Sequence, residues 1–328
     1  MAVTLTNAWK GSGAEDESRT RDLRFTKPLL YQLSYFGLDC YCKMQRLFSL
    51  TIAPLKLSCG YYSGRLPELP EVETVVRSIR DRVTGQTIVG AEVSSKRVTR
   101  NDFGATKTGL TGARIVAVRR HGKQIFFDLS HGILYVHLGM TGKLLWNQKP
   151  TKYTRAVLYL DEGTLLYDDV RQFGRVEFYA EMPAALRKVG PDALSVAFDE
   201  FFERLKRHKG FIKPLLLTQS FIAGVGNIYA DEALFASRIH PRTIASKLSK
   251  TRARELHKNI VAILEAAVER RGSSISNYVD SDGVAGSYQQ QHNAYGKTGD
   301  ACPRCGKTIR RVVLGQRGTH YCPGCQRV

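Results

Sequence analysis

Four cysteines near the C-terminus constrain this chain more than any other feature. Cys302-Pro303-Arg304-Cys305 is followed, after sixteen residues, by Cys322-Pro323-Gly324-Cys325. Two Cys-x-x-Cys knuckles at that separation predict a ribbon closed by one tetrahedral zinc with four thiolate ligands. Four thiolates leave no open coordination position, so the metal is expected to be structural. The bland alternative is four free, buried thiols. The other three cysteines, Cys40, Cys42 and Cys59, all precede residue 67. A disulfide framework is not expected in a basic, signal-less chain of this size.

The 328 residues suffice for two or three domains with a sizeable core. The net charge of +19 predicts a polyanionic partner, nucleic acid before membrane. Without residues 1–66, which hold nine Lys/Arg and five Asp/Glu, it is still +15. There is no apolar run of about 18 residues, the length a spanning helix needs. No basic start followed by a clean apolar core marks a secretory signal. A cytoplasmic, nucleoid-associated monomer that does not engage membranes is expected.

Residues 1–66 read poorly as a domain. Residues 11–24 are polar and charged, and 31–57 are apolar without a sustained period. The stretches 18–25 and 30–35 are similar to peptides produced when the DNA of a transfer-RNA gene is translated by mistake. An over-extended gene reading is therefore expected, with Leu66 marking a UUG or CUG initiation codon. A leader removed after Leu66 is the alternative. Either way this segment is expected to be unstructured.

Next comes Leu66-Pro67-Glu68-Leu69-Pro70-Glu71-Val72-Glu73-Thr74. Read alone it is a helix cap, with Pro70 at the start and acids near the positive end of the dipole. A short helix over 75–82 follows, closed by Gly85. From there to about residue 197 the pattern is β: 87–89, 113–119, 124–129, 133–138, 156–160, 164–167 and 176–179. These runs are short, β-branched or aromatic, and separated by Gly and Asp turns, which suits a sandwich or barrel. Residues 190–197 break both neighbouring patterns and read as a linker. The period then turns helical to about 271, with 253–268 as an amphipathic packing helix. Residues 273–299, rich in Gly, Ser and Gln, read as a flexible loop. The domains are placed at 67–189 (sandwich), 198–290 (helical) and 291–328 (ribbon).

Three loops of the β region and one helical string carry candidate chemistry. Arg119-Arg120-His121-Gly122-Lys123 is by itself a solvated basic turn. His137-Leu138-Gly139-Met140-Thr141-Gly142 sets an apolar side chain between glycines, the character of a wedge that enters a base stack. Asp168-Asp169-Val170-Arg171-Gln172-Phe173-Gly174 read alone is a turn with an Arg and a core Phe. Residues 219–232 contain Gly224-Val225-Gly226-Asn227, where close backbone approach and free N–H groups at a helix start favour phosphate. A lone Gly-x-Gly is more often only a turn, and Glu232 reads as an ordinary helix acid.

In this order, the nonapeptide, the loops, the helical string and the knuckles resemble the formamidopyrimidine-DNA glycosylases over Leu66 to Arg327. The resemblance implies an α+β fold: an N-terminal β-sandwich with a short helix, a helix-two-turns-helix domain, and a four-cysteine zinc ribbon. It implies removal of oxidised purines (8-oxoguanine, formamidopyrimidines) from duplex DNA, and cleavage at abasic sites. By the resemblance Pro67, as a free N-terminal amine, is the nucleophile and Glu68 shuttles protons. Lys123 and Arg317 assist β- and δ-elimination. Met140 and Phe173 fill and wedge the vacated stack, and Arg171 reads the opposite base. Lys213 and Asn227 hold backbone phosphates, with Tyr153 and His208 as further DNA contacts. Ser276 stands where relatives often carry Lys. Inside a chain, however, Pro67 has a tertiary amide nitrogen with a delocalised lone pair, which cannot attack. Two alternatives therefore stay open. One is a non-catalytic zinc protein that binds damaged DNA if residues 1–66 are retained. The other is a metal-dependent nuclease using Asp168, Asp169 and Glu177.

Overall fold

The computed structural model describes residues 66–275 and 278–327. The expectations for residues 1–65 and for Ser276 fall outside the described residues.

Helix α1 spans Leu69–Val83, starting six residues before the sequence pattern suggests. The Glu71 carboxylate accepts the Glu68 N–H at 2.8 Å and so satisfies a donor the first turn leaves open. Pro70 lies in that turn, where its missing N–H costs nothing. Val72, Val75, Val76, Ile79 and Val83 form a fully buried stripe at helical spacing.

That stripe packs into a sandwich of two antiparallel four-stranded sheets. The strands are β1 (Ile88–Val93), β2 (Ile115–His121), β3 (Gln124–Leu129), β4 (Ile133–His137), β5 (Gly142–Trp146), β6 (Thr154–Leu160), β7 (Thr164–Asp169) and β8 (Arg175–Tyr179). One sheet has the order β1-β6-β7-β5 and the other β2-β3-β4-β8. Ile88, Leu158 and Leu165 from the first meet Ile125, Phe127, Leu134 and Val176 from the second. The sandwich expected from the sequence is thus present. Strand β5 and helix α2 (Phe103–Leu110) have no clear sequence signal. Two glycines and two threonines give α2 weak intrinsic propensity, and an Asp102 cap on Ala105 N (2.7 Å) starts it.

After the short α3 (Ala184–Arg187), residues 190–197 are ordered and locked by side chains. Asp192 accepts Gly122 N (2.7 Å) and Leu194 N (3.1 Å) and pairs with Arg120. Arg120 in turn reaches Glu73 of α1 at 2.7 Å. The helical part comprises α4 (Phe198–Lys206), α5 (Ile212–Leu216), α6 (Asn227–Ala236) and α7 (Lys250–Glu269). Leu69, the first residue of α1, belongs to this second core, and its N–H bonds Gly224 O at 3.1 Å. The start of α1 therefore sits where the two cores meet.

The ribbon strands β9 (Arg310–Leu314) and β10 (Arg317–Tyr321) pair Leu314 with Arg317. The two turn residues, Gly315 and Gln316, have φ of 55° and 61°, as a tight primed hairpin turn requires. Residues 273–299 differ from their sequence reading as a flexible loop. Ser273, Asp280, Tyr288, His292 and Ala294 are buried, and Tyr288–Gln291 forms a 3-10 turn. Glu232, read as an ordinary helix acid, is buried and holds this segment. Its carboxylate accepts Asn293 N, Ala294 N and Tyr295 N at 2.9, 2.9 and 2.7 Å. Composition cannot reveal such an anchor, because it lies 61 residues away in the chain.

Candidate active site and nucleic-acid interface

The N-terminus of α6 organises the site. Its first N–H groups have no helical partner and carry the positive end of the dipole. The Glu68 carboxylate occupies that position, accepting Ile228 N at 2.9 Å and Tyr229 N at 3.3 Å. Gly226 lets it approach: a Cβ there would lie 2.3 Å from Glu68 Cδ. Gly224, at φ 106°, is needed both for that conformation and because a Cβ would meet Leu69 Cδ1 at 2.5 Å. Burial pushes the Glu68 carboxyl up to about 7, against the opposing pull of Lys123 and the two N–H bonds.

Glu71 lies behind Glu68. It accepts the Tyr229 hydroxyl at 2.6 Å and Ser273 N at 2.7 Å, and burial raises its pKa despite them. Ser273 Oγ lies 3.1 Å from His292 Nε2, extending the network into the segment after α7. Burial lowers the pKa of half-buried Lys123, which Glu68 and Glu71 partly oppose. Pro67, half-buried, lines a narrow cleft with Glu71, Met140, Ile228, Ile275 and Tyr278.

The three candidate loops lie at one end of the sandwich. Lys123 follows β2, and the Met140 and Arg171 loops are stitched together by Thr141. Its hydroxyl donates to Asp169 and accepts Arg171 N at 3.0 Å. The Arg171 guanidinium lies 4.8 Å from the centre of the Phe173 ring, which is 39% exposed. Tyr153 joins this group through its carbonyl, which accepts Asp169 N at 3.0 Å. His208 does not join it. It lines a surface groove with Glu200, Arg204 and Thr218.

The ribbon hairpin meets the start of α6. Gly318 O accepts Lys213 Nζ at 3.0 Å and Asn227 Nδ2 at 3.1 Å, beside exposed Arg317. Lys213 itself is enclosed, fully buried and 2.6 Å from Asp231. Burial lowers its pKa and Asp231 opposes the shift. The Arg317 charge further lowers the pKa of both Lys123 and Lys213. Sequence reasoning misses the part taken by Tyr229, Asp231, Ser273, His292 and His320. Tyr229 and Asp231 do lie inside the quoted helical string, which is the available signal.

The four Sγ atoms of Cys302, Cys305, Cys322 and Cys325 lie within 4.8 Å of one another, with pairs at 3.8 and 3.4 Å. A tetrahedron with Zn–S near 2.3 Å requires S···S of about 3.8 Å, so the residues fit one zinc ion. When bound, the metal supplies a cross-link between the knuckles. The three acids weighed for a nuclease do not converge. Asp168 binds the Thr151 and Thr154 hydroxyls, Asp169 braces the Arg171 loop, and Glu177 bonds Tyr179 on β8. Among the described residues, the four cysteines form the only group able to hold a metal.

Three family models match in chain order. They are the formamidopyrimidine-DNA glycosylase N-terminal domain over 66–176, the H2TH domain of the same enzymes over 189–279, and a zinc finger found in FPG and IleRS over 299–328. Sandwich, helical domain and ribbon thus define a DNA-repair glycosylase with a structural zinc. A formamidopyrimidine-DNA glycosylase of Solibacter usitatus is 47% identical over 264 residues, covering 80% of this chain and 100% of the relative. One from Thermus thermophilus is 44% identical over 272 residues, covering 80% and 98%. The crystal structure of the MutM (Fpg) protein of Thermus thermophilus superposes with a TM-score of 0.73 at 42% identity, covering 79% and 98%. A complex of Lactococcus lactis Fpg with DNA containing an abasic site gives 0.73 at 38%, covering 80% and 100%. The chain belongs to the formamidopyrimidine-DNA glycosylase family.

Proposed function

We propose that this protein excises oxidised purines from duplex DNA and cuts the strand at the resulting abasic site, with Pro67 as nucleophile. The reading rests above all on the Glu68 carboxyl, buried beside Pro67 on the N-terminus of α6 with Lys123 close by. A carboxyl poised near pH 7 both gives and takes protons at physiological pH. The free secondary amine of Pro67 attacks C1′ of the sugar, and the base departs with a proton relayed by Glu68. The amine sheds its one proton, the C1′–O4′ bond breaks with Glu68 delivering a proton to O4′, and the nitrogen lone pair closes the C1′=N+ bond. The resulting iminium has no N–H proton to lose, so it draws electrons from the sugar and drives β- and then δ-elimination. Lys123, its pKa lowered, assists the first elimination, and Arg317 holds the lesion phosphate for the second. Met140 enters the vacated stack, Phe173 wedges the next step and Arg171 reads the opposite base. Asn227 completes the phosphate seat, with Tyr153 at its margin. Lys213, enclosed by Asp231 and Gly318 O, supports that seat from inside, and any contact of His208 with DNA is made from its separate groove. The protein acts as a monomer at the nucleoid, in the cytoplasm. No helix of the described residues is long and apolar enough to cross a membrane.

This chemistry requires a chain that begins at Pro67. While Leu66 is bonded to it, the nitrogen is an amide, and the second reading applies: a protein that binds damaged DNA without cutting it. Borohydride trapping on duplex with 8-oxoguanine opposite cytosine, followed by sequencing of the adduct peptide, separates the two. An adduct on N-terminal Pro67 is expected. Tight binding without an adduct, in protein shown to begin at Pro67, would overturn the proposal.

A further inference from the structure

Asp231 is fully buried in α6 and takes no part in the chemistry proposed above. Its Oδ1 lies 2.6 Å from Lys213 Nζ. Its Oδ2 lies 2.9 Å from both His320 N and His320 Nδ1. A carboxylate only accepts, so both His320 groups donate to it. One side chain of α6 thus grips strand β10 directly, through His320. It grips the strand a second time through Lys213, whose ammonium donates to Gly318 O at 3.0 Å. The two held residues, Gly318 and His320, follow Arg317 on the same short strand. Asn227, one turn before Asp231 on α6, adds a second bond to Gly318 O at 3.1 Å. Next to it in sequence, the N–H groups of Ile228 and Tyr229 hold Glu68.

We propose that Asp231 is a positioning residue for the Arg317 tip, fixing where its guanidinium meets the DNA phosphate relative to Glu68. Zinc closes the ribbon at the knuckles, but the knuckles lie at the far end of the hairpin from its turn. Cys322 follows directly on β10, whereas Arg317 opens that strand beside Gly315 and Gln316. Closure alone leaves the direction of the tip unset. The link from Asp231 through Lys213 and His320 sets it. The charge arrangement suits this role, because Lys213 and Asp231 neutralise each other while both are fully enclosed. Asp231→Asn leaves a buried ammonium without its counter-charge, and Lys213 and Gly318 must then shift. The proposal rests on the reading that Arg317 contacts the lesion phosphate.

The test is a double-mutant cycle on the full-length, zinc-loaded protein, read as affinity for a duplex with a tetrahydrofuran abasic-site analogue. Arg317→Ala and Asp231→Asn are each expected to weaken binding about tenfold, the scale of one charge-assisted hydrogen bond. Together they are expected to cost little more than either alone, with zinc content unchanged. The charge-neutral pair Lys213→Met with Asp231→Leu, which keeps the site packed, is expected to behave like Asp231→Asn and serves if that variant folds poorly. Independent, additive losses would overturn the role of Asp231 and leave that of Arg317 standing. An Arg317→Ala protein that binds normally would overturn the phosphate reading itself, and the role of Asp231 with it.

Discussion

Gly226→Ala is the sharpest single test of the Glu68 site. Gly226 has φ −130° and ψ −160°, an extended conformation that alanine adopts without strain, so the substitution acts through space alone. The added methyl would lie 2.3 Å from Glu68 Cδ and 2.5 Å from Oε1, where ordinary contact begins near 3.4 Å. The carboxyl must retreat by about 1 Å, and a misplacement of that size costs on the order of 10²-fold in rate. The Ile228 and Tyr229 bonds, now 2.9 and 3.3 Å, would then pass out of hydrogen-bonding range. Those bonds lower the Glu68 pKa, so losing them moves the protonation midpoint above about 7. Overpacking adds a stability cost of roughly 1–3 kcal/mol, which a folded domain tolerates. The assay is single-turnover excision of 8-oxoguanine by protein starting at Pro67, followed across pH, with duplex affinity measured in parallel. Excision is expected to fall about a hundredfold with affinity nearly unchanged. A variant with wild-type excision and an unmoved pH midpoint would refute the claim that Glu68 must occupy the α6 terminus.

Two further outcomes are expected. Because burial raises the Glu68 pKa from 4.5 to about 7, the folded protein holds this proton more tightly than the unfolded chain. The resulting stability is full below pH 4.5 and is lost as pH rises to about 7, to a limit of roughly 3 kcal/mol. Glu68→Gln removes the ionisation and is expected to flatten the melting temperature across that window. An unchanged slope in thermal denaturation would rule out a buried, titrating Glu68. Cys305→Ser is expected to release zinc and weaken binding to damaged duplex severely, since metal and ribbon fold together. Hydrogen exchange over residues 310–321 checks it, and retained protection with wild-type affinity would show that the metal does not hold the hairpin.

Much of this architecture is legible in the sequence because its signals are local. The spacing of the knuckles specifies a tetrahedral site without reference to the rest of the chain. Short β-branched or aromatic runs between turn residues locate seven of the eight sandwich strands, and the glycines around Met140 single out a side chain that lines the cleft beside Pro67. What escapes depends on distant partners. Helix α1 starts at Leu69 because Glu71 turns back on Glu68, and Leu69 packs in a core built from residues beyond 190. The 273–299 segment reads as flexible because its order comes from Glu232 and Glu71, which lie far from it in sequence. Lys213 is, by the resemblance, a phosphate contact, yet Asp231 and Gly318 enclose it. The linker reads as a simple break, but Asp192 ties it to Arg120 and Gly122.

The first two turns of α6 hold three parts of the site at once. Ile228 and Tyr229 hold the start of α1, Asp231 holds the ribbon hairpin, and Glu232 holds residues 293–295. Parts located in series pass their errors along, so that each joint adds its own slack to the last. Parts located against one common reference do not accumulate error. Pro67, Glu68 and the Arg317 tip come from segments separated by some 250 positions, yet each is measured from the same rod. Divergence in the intervening loops can then lengthen or shorten the chain without altering the registration of the three. By the same logic the rod itself tolerates little change, because a shift of one turn in it displaces all three together.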